Sequence, residues 1–377
     1  MSRLLRIAQV APLYERVPPE HYGGTERVVS YLTEQLVRLG HDVTLFASGD
    51  SITTAQLDAA CSRALRRDSA CRDPLATHVR MLARVYRRAE RFDVIHCHTD
   101  YLGLPLAGFV RPPTVITLHG RLDLPELPLV YADHMRVPLV SISDAQRLPM
   151  SAANWLATVP HGVPPALYTP EYTPGSYLLF VGRISPEKRP DAAIAIAAAA
   201  DVPLKIAAKV DAVDREYFQS IIRPLLKHPL VEFLGEVDDA RKAQLLRGAL
   251  ALLFPIDWPE PFGLILIEAL ACGLPVIARR RGSVPEIIRD GVTGFVREID
   301  DELARAVHEV PRLDRRACRA EFEARFTAAN MARRYIELYE RLAEPRDIRG
   351  RTIRPLQPPA TPLLIDGIGD RAAAIEN

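Results

Sequence analysis

Two glutamates eight positions apart bracket an otherwise apolar run, EPFGLILIE, from Glu260 to Glu268. Pro261 suits the first position of a helix, where its missing N–H is not needed. Gly273 suits the stop, before LPVIA re-enters a strand. On that reading Glu260 stands at the helix mouth and Glu268 two turns inside, about 12 Å along the axis and roughly 80° away in azimuth. Two carboxylates so placed can accept hydrogen bonds from hydroxyl groups at both ends of an extended ligand. The free N–H groups near Phe262, Gly263 and Leu264, with the helix dipole, would face an anionic middle. A nucleoside diphosphate-sugar, running from hexose through phosphates to ribose, has those groups in that order and a similar length. A plainer reading fits the same residues: Glu260 only complements the dipole and Glu268 is a solvated helix residue.

A second cluster is LLFVGRISPEKRPD, a strand followed by Gly182 and Arg183. Ser185 is expected to cap a helix starting at Pro186, which puts Lys188 in its first turn. A cation there opposes the dipole, so an anion held by Arg183, Lys188 and the helix amides explains it better than stability does. A surface basic pair fits the same residues. HYGGTERVV places Gly23 and Gly24 just before a helix capped by Thr25, where a ligand could approach the backbone closely. A plain turn is an equal reading. In DVIHCHTDY, His96 and His98 share one strand face. No third metal ligand is apparent, and packing or an acceptor-side role for His98 is the expectation.

The elements that must hold these residues follow from hydrophobic periodicity. Leu4–Ala11, Val43–Ala47, Asp93–Cys97, Thr114–Leu118 and Leu139–Ile142 read as strands, and Glu26–Leu39 as a helix ended by Gly40. Their continuous apolar character predicts burial on both faces, as in a parallel sheet flanked by helices. The pattern then restarts, with strands over Tyr177–Val181, Leu204–Ala208, Val231–Leu234, Ala249–Phe254 and Pro275–Ala278. Helices are expected over Pro186–Ala200 and Glu216–Lys227. Two doubly wound α/β units follow, joined by the Pro-rich Pro160–Gly175, with ligands bound beyond the carboxyl ends of the strands. The amphipathic Phe326–Leu342 is a closing helix whose Phe326, Met331, Tyr335 and Tyr339 are spaced for a packed face. The periodicity fades after about Glu344.

Composition narrows the class. The chain has 377 residues, enough for two domains, and 48 Lys+Arg balance 47 Asp+Glu, which argues against wrapping by nucleic acid. Five scattered cysteines with no C-x-x-C pair signal neither zinc site nor disulfide framework and fit a reducing cytoplasm. The N-terminal apolar run is too short for a signal peptide, and no later run approaches a membrane span. Cys61–Phe92 holds nine Arg against Asp68, Asp73 and Glu90. Leu75, Val79, Leu82, Tyr86 and Ala89 form an apolar stripe beside Arg80, Arg84, Arg87 and Arg91. Weak peripheral docking on anionic lipid through 63–91, capture of an anionic acceptor, or an ordinary solvated face are all open.

Taken in order, GGTER, the strand-Gly-Arg with Lys188 five residues on, FLGEV (Phe233–Val237), EPFGLILIEALACGLPVIA and GSVPEIIRDGVTGF (Gly282–Phe295) resemble the retaining, nucleotide-sugar-dependent glycosyltransferases of family 4, which have the GT-B architecture. The likeness reaches to about residue 343. It implies two Rossmann-like domains facing across a cleft: an acceptor-side domain over 1–166 and a donor domain over 167–325. A helix over 326–343 crosses back, and a Pro-rich, loosely ordered tail fills 344–377. It implies that Arg183 and Lys188 bind the donor diphosphate, that Glu260 contacts the transferred sugar and that Glu268 binds the ribose. Phe262, Gly263 and Leu264 would lie against sugar and phosphate, Leu234 and Gly235 near the base, and Gly182 beside the phosphates. Gly23 and Gly24 would border donor phosphates and acceptor, and His119 in TVITLHG would meet the donor sugar near the reacting carbon. No cofactor is implied, and with no D-x-D triplet placed as a metal-binding loop, metal-independent hexosyl transfer to an acceptor of unknown identity is the expectation. Two departures stand out: His161 replaces an Asn in VPHGV, and Arg281 replaces a frequent Gly. A pyridoxal-phosphate phosphorylase would need a Schiff-base lysine that no segment suggests. A nucleotide-sugar epimerase and a non-catalytic nucleotide-sugar-binding protein stay open on the same architecture.

Overall fold

The computed structural model describes residues 3–20 and 23–344, which form two parallel sheets in series. The first contains β1 (Arg6–Val10), β2 (Asp42–Ser48), β3 (Gln56–Cys61), β4 (Val94–Cys97), β5 (Thr114–Thr117), β6 (Leu139–Ser141) and β7 (Trp155–Thr158), ordered β3-β2-β1-β4-β5-β6-β7. The second contains β8 (Leu178–Arg183), β9 (Leu204–Lys209), β10 (Val231–Gly235), β11 (Ala251–Phe254), β12 (Val276–Arg279) and β13 (Gly294–Arg297), ordered β10-β9-β8-β11-β12-β13. Winding reverses between β1 and β4 and again between β8 and β11. At such a point neighbouring loops leave in opposite directions and open a crevice. The doubly wound pair is the architecture the sequence predicts. The strands it does not predict, β3, β7 and β13, all lie at sheet edges. An edge strand need not be apolar on both faces, so the continuous run that betrays a central strand is missing.

Two helix starts and one helix interior differ from expectation. The helix expected over 186–200 divides: Pro186–Lys188 is one 3₁₀ turn, Arg189 is left-handed at φ 56°, and the helix proper runs Pro190–Ala199. A residue before proline is pushed out of the right-handed helical region, so Pro190 sets the boundary. Ser185 caps nothing, its hydroxyl being buried without a partner among the described residues. Lys188 therefore precedes the helix, and the dipole argument for it does not apply. Helix α1 (Gly24–Arg38) starts at Gly24, with Thr25 inside its first turn rather than capping it. The segment expected as one helix over 216–227 carries a π turn at Phe218–Ile222.

In α2 (Pro74–Arg87) the predicted apolar stripe splits: Leu82 and Tyr86 are buried, as is Ala89 just beyond, whereas Leu75 and Val79 are exposed. Among the described residues no helix is long and apolar enough to cross a membrane. The tail expected over 344–377 lies, beyond Glu344, outside the described residues.

The last described helix, Ala328–Ala343, buries Met331, Tyr335 and Tyr339, with Phe326 buried just ahead of it. Its phenols reach the first sheet: Tyr335 Oη lies 2.8 Å from Thr117 Oγ1 and Tyr339 Oη 2.6 Å from His96 Nδ1. The helix is started by the interdomain linker, where Val163 N–H donates to Phe326 O and Ala328 N–H to Val163 O, each at 3.0 Å. A Cβ on Gly162 would lie 2.3 Å from Thr327 O, so only glycine lets the two segments meet. Gly162→Ala is expected to destabilise the protein by about 1–3 kcal/mol through overpacking against backbone, read as a fall in melting temperature with far-UV circular dichroism retained.

Candidate active site

The carboxyl ends of strands from both sheets open onto one cavity of about 650 Å³. Past β4 and β5 the first sheet presents His98 and His119; the second presents Gly182 and Arg183 at the end of β8 and Phe254 at the end of β11. Gly23, Gly24, Lys188, Glu260, Phe262, Gly263, Leu264 and Glu268 line the same space. From FLGEV, Glu236 and Val237 face the cavity, whereas Leu234 and Gly235 are not among its lining residues. The two lobes meet closely at the seam: a Cβ on Gly24 would stand 3.6 Å from Leu264 Cδ1, an ordinary contact distance.

Glu260 is not on a helix. Gly263 is left-handed at φ 80° and serves as N-cap, so the helix runs Leu264–Ala271 and residues 260–263 form a loop ahead of it. The axial and azimuthal estimate made for a helix from Pro261 therefore does not hold. Several groups pin this loop instead. Ser143 Oγ donates to Pro261 O at 2.6 Å, Ser283 Oγ to Phe262 O at 2.8 Å and Ser283 N–H to Glu260 O at 3.0 Å. Among the described residues the N–H groups of Gly263, Leu264 and Ile265 have no backbone acceptor, and all three residues border the cavity. Gly273, left-handed at φ 71°, ends the helix as expected.

The charged groups singled out in the cleft are all paired. Lys188 Nζ contacts Glu260 Oε2, which also accepts from Trp258 Nε1 at 2.8 Å, and the ammonium sits 5.0 Å from the Trp258 ring centre. Arg183 donates to Glu187 at 2.8 Å and lies 3.7 Å from both Asp211 and Asp214. Glu268 is 3% exposed, which removes the solvated-residue reading, and it accepts from Lys242 Nζ at 2.9 Å. Lys242 also reaches Asp239 at 3.1 Å, and Asp239 pairs with Arg27 of α1, across the cleft. Burial pulls the Lys242 ammonium down, but Glu268 and Asp239 more than offset it and the net shift is upward. Burial likewise pushes the Asp239 carboxyl up, and Lys242 with Arg27 reverses that into a net fall. The second departure from the family pattern, Arg281, forms ion pairs with Asp257 at 3.1 Å and Glu298 at 3.2 Å.

Histidines form a column at the wall of the cleft. The ring centres of His96 and His98 are 4.0 Å apart, those of His98 and His119 5.1 Å, and those of His119 and His161 5.1 Å. His161, the other departure from the pattern, stacks on His119 and meets the Phe262 ring edge-on at 4.9 Å. Burial holds His96, His98 and His161 well below the usual imidazole range and pushes His119 down to about 3. His96 and His98, expected to pack or, for His98, to serve the acceptor side, are both buried in a polar ladder, and His98 borders the cavity.

Lys242, Asp239 and Trp258 are not signalled by the sequence, and GGTER assigns no role to Arg27 or to the buried carboxyl of Glu26, raised by burial. Asp239 and Lys242 are i,i+3 neighbours on one helix, but they meet Arg27 and Glu268 only when distant segments close, so no local spacing betrays the cluster. Gln9 does carry a signal: it is a polar residue inside an apolar central strand, and such a residue needs a partner.

Residues 169–325 match the family model for glycosyl transferases group 1, and residues 22–158 the model for glycosyltransferase family 4. The chain is 27% identical over 361 residues to the phosphatidyl-myo-inositol mannosyltransferase of Mycobacterium leprae (strain TN), covering 88% of this chain and 93% of that one. It is 33% identical over 161 residues to the D-inositol 3-phosphate glycosyltransferase of Actinosynnema mirum, 36% of this chain and 38% of that one. Its fold superposes with a TM-score of 0.68 on AviGT4, a glycosyltransferase involved in avilamycin A biosynthesis, at 26% identity over 90% of this chain and 98% of that one. Anabaena Alr3699/HepE in complex with UDP-glucose shares the fold at a TM-score of 0.68 and 17% identity, covering 89% of this chain and all (100%) of that one.

Two outcomes follow from the paired charges and the neutral column. Glu187→Gln removes a competitor for Arg183 and is expected to tighten inorganic pyrophosphate binding by up to about fivefold, measured by calorimetry. The buried imidazoles stay neutral in the fold but protonate near pH 6.5 when unfolded. Below that pH the unfolded chain binds more protons, so stability should be complete near pH 7 and fall steadily as the pH drops from about 6.5 towards 4. Calorimetric melts across that range should show it, with the slope reduced in His161→Gln.

Proposed function

The chain is a glycosyltransferase of family 4 with the GT-B fold, and we propose that it moves a hexosyl group from a nucleoside diphosphate-sugar to a hydroxyl acceptor, retaining the anomeric configuration. One observation carries the reading: Arg183, Lys188, Glu260, Glu268 and the amides at Gly263–Ile265 face a single cavity at the switch points of two sheets.

On this reading the diphosphate takes Arg183 and Lys188 away from Glu187 and Glu260 and lies against the free helix amides. Charge-assisted bonds to phosphate are strong in a site screened from water, and they strengthen as the glycosidic bond to the phosphate breaks and the phosphate gains charge. That stabilisation asks for no divalent cation. Glu260, released from Lys188, accepts hydrogen bonds from the transferred sugar. Glu268, held by Lys242, accepts those of the ribose. The acceptor oxygen bonds to the anomeric carbon on the face the phosphate leaves, and the acceptor proton passes to a phosphate oxygen of the departing nucleotide. A hexose donor is supported by the mannosyltransferase named among the relatives and by the UDP-glucose complex of a structural neighbour.

Thermal shift with UDP, GDP and ADP, followed by slow hydrolysis of UDP-glucose, GDP-mannose and ADP-glucose, tests the proposal. Stabilisation by one nucleotide and hydrolysis of its sugar are expected; binding without turnover over a broad acceptor panel would favour a nucleotide-sugar-binding protein instead. Glu268→Ala should weaken nucleoside diphosphate binding about 10- to 100-fold, the value of hydrogen bonds to a charged group. Lys188→Ala should lower kcat by about 10²–10³. Unchanged kinetics in both variants would remove the assignment.

A further inference from the structure

The hydrogen bonds of the histidine column have a direction. Gln9 Oε1 lies 2.9 Å from His98 Nε2, while Gln9 Nε2 donates to Tyr339 Oη at 3.0 Å. An amide oxygen only accepts, so His98 donates from Nε2. A neutral imidazole then carries a lone pair on Nδ1, and His98 Nδ1 lies 2.9 Å from His119 Nε2. His119 must therefore donate from Nε2, which leaves a lone pair on its own Nδ1. That atom is buried and has no partner among the described residues, although His119 borders the cavity. The other side of the ladder agrees. His96 Nδ1 accepts from Tyr339 Oη at 2.6 Å, and His96 Nε2 donates to Thr117 Oγ1 at 2.7 Å. Among the described residues no carboxylate hydrogen-bonds to a ring of the column; the titratable groups facing His98 are His96, His119, His161 and, through Gln9, Tyr339.

We propose that Gln9 and His98 are positioning residues that lock His119 as its Nε2–H tautomer, so that Nδ1 accepts a hydrogen bond from a hydroxyl of the donor sugar. The tautomer of a ring is set by the bond its other nitrogen makes. Here that bond begins on the closing helix, at Tyr339, and passes through a strand of the acceptor-side sheet to the reaction centre. A His119 with the opposite tautomer would present an N–H and could only donate at that atom. The proposal rests on the reading of His119 as a donor-sugar contact.

The test is the ¹⁵N spectrum of the histidine-labelled wild-type protein, with the His119 signals assigned by comparison with His119→Ala, together with the kinetics of Gln9→Met and His119→Ala. A neutral His119 protonated on Nε2 is expected in the wild type. Gln9→Met should mix the two tautomers and lower kcat about tenfold, the value of one hydrogen bond, with little change in the donor KM. A wild-type His119 protonated on Nδ1 overturns the proposal, as does a Gln9→Met protein with the wild-type tautomer and kcat. A melting temperature lowered in Gln9→Met with tautomer and kcat intact assigns Gln9 to stability alone and overturns it as well. His119→Ala separates the two readings: lost turnover in His119→Ala, together with a wild-type ring protonated on Nδ1, sinks only the relay, whereas full turnover in His119→Ala removes the donor-sugar contact on which it rests.

Discussion

The contact between Tyr335, Tyr339 and the buried polar row Gln9, His96 and Thr117 is the one on which the arrangement of both lobes depends. The two tyrosines belong to a helix that follows the second sheet in sequence, yet they are satisfied inside the first. A phenol buried without a partner is costly, and so is an imidazole or an amide. The row and the helix therefore complete each other, and neither side has a good substitute. Apolar side chains around it, such as Met331 and Phe326, contribute area. The polar atoms contribute register, because a shift of the helix by one residue would strand every one of them. The same row ends at the cleft, so what positions the lobes also shapes the wall of the site.

Charge is the second organising constraint. The cavity gathers Arg183, Lys188 and Lys242 from the second lobe and Arg27 from the first, and each faces a carboxylate of the protein. A low-polarity cleft cannot hold bare cations cheaply, so the protein supplies its own counterions. Partners differ in how readily they yield. Glu187 is a half-exposed neighbour four residues from Arg183, whereas Glu268 is buried with Lys242. The first kind yields readily to another anion and the second stays fixed in place. The unclaimed amides at Gly263–Ile265 complete the set, because a helix start cannot satisfy them internally.

Much of this is legible in the sequence, and where it is not the causes are physical. Central strands such as β1, β4 and β8 are buried on both faces and appear as continuous apolar runs; the edge strands β3 and β13 are not bound by that rule and give no such signal. Pro190 and Gly263 decide where helices begin, and both are visible, yet Pro186 and Pro261 also satisfy the local rule for a helix start. Choosing between them requires knowing that the backbone turns left-handed at both Arg189 and Gly263, just ahead of each helix.

By itself the sequence determined the two doubly wound sheets, the amphipathic closing helix and the identity of the charged residues at the mouth of the second sheet. All of these follow from local periodicity, turn chemistry and spacing along one chain. Only the tertiary structure decided that Glu260 leaves the helix to meet Lys188, that Lys242 and not water faces Glu268, and that Gln9, His98, His119 and His161 form one column. Those pairings join residues far apart in sequence, and hydrogen-bond and charge partners across such separations are selected by the closing of the fold rather than by any pattern of neighbours.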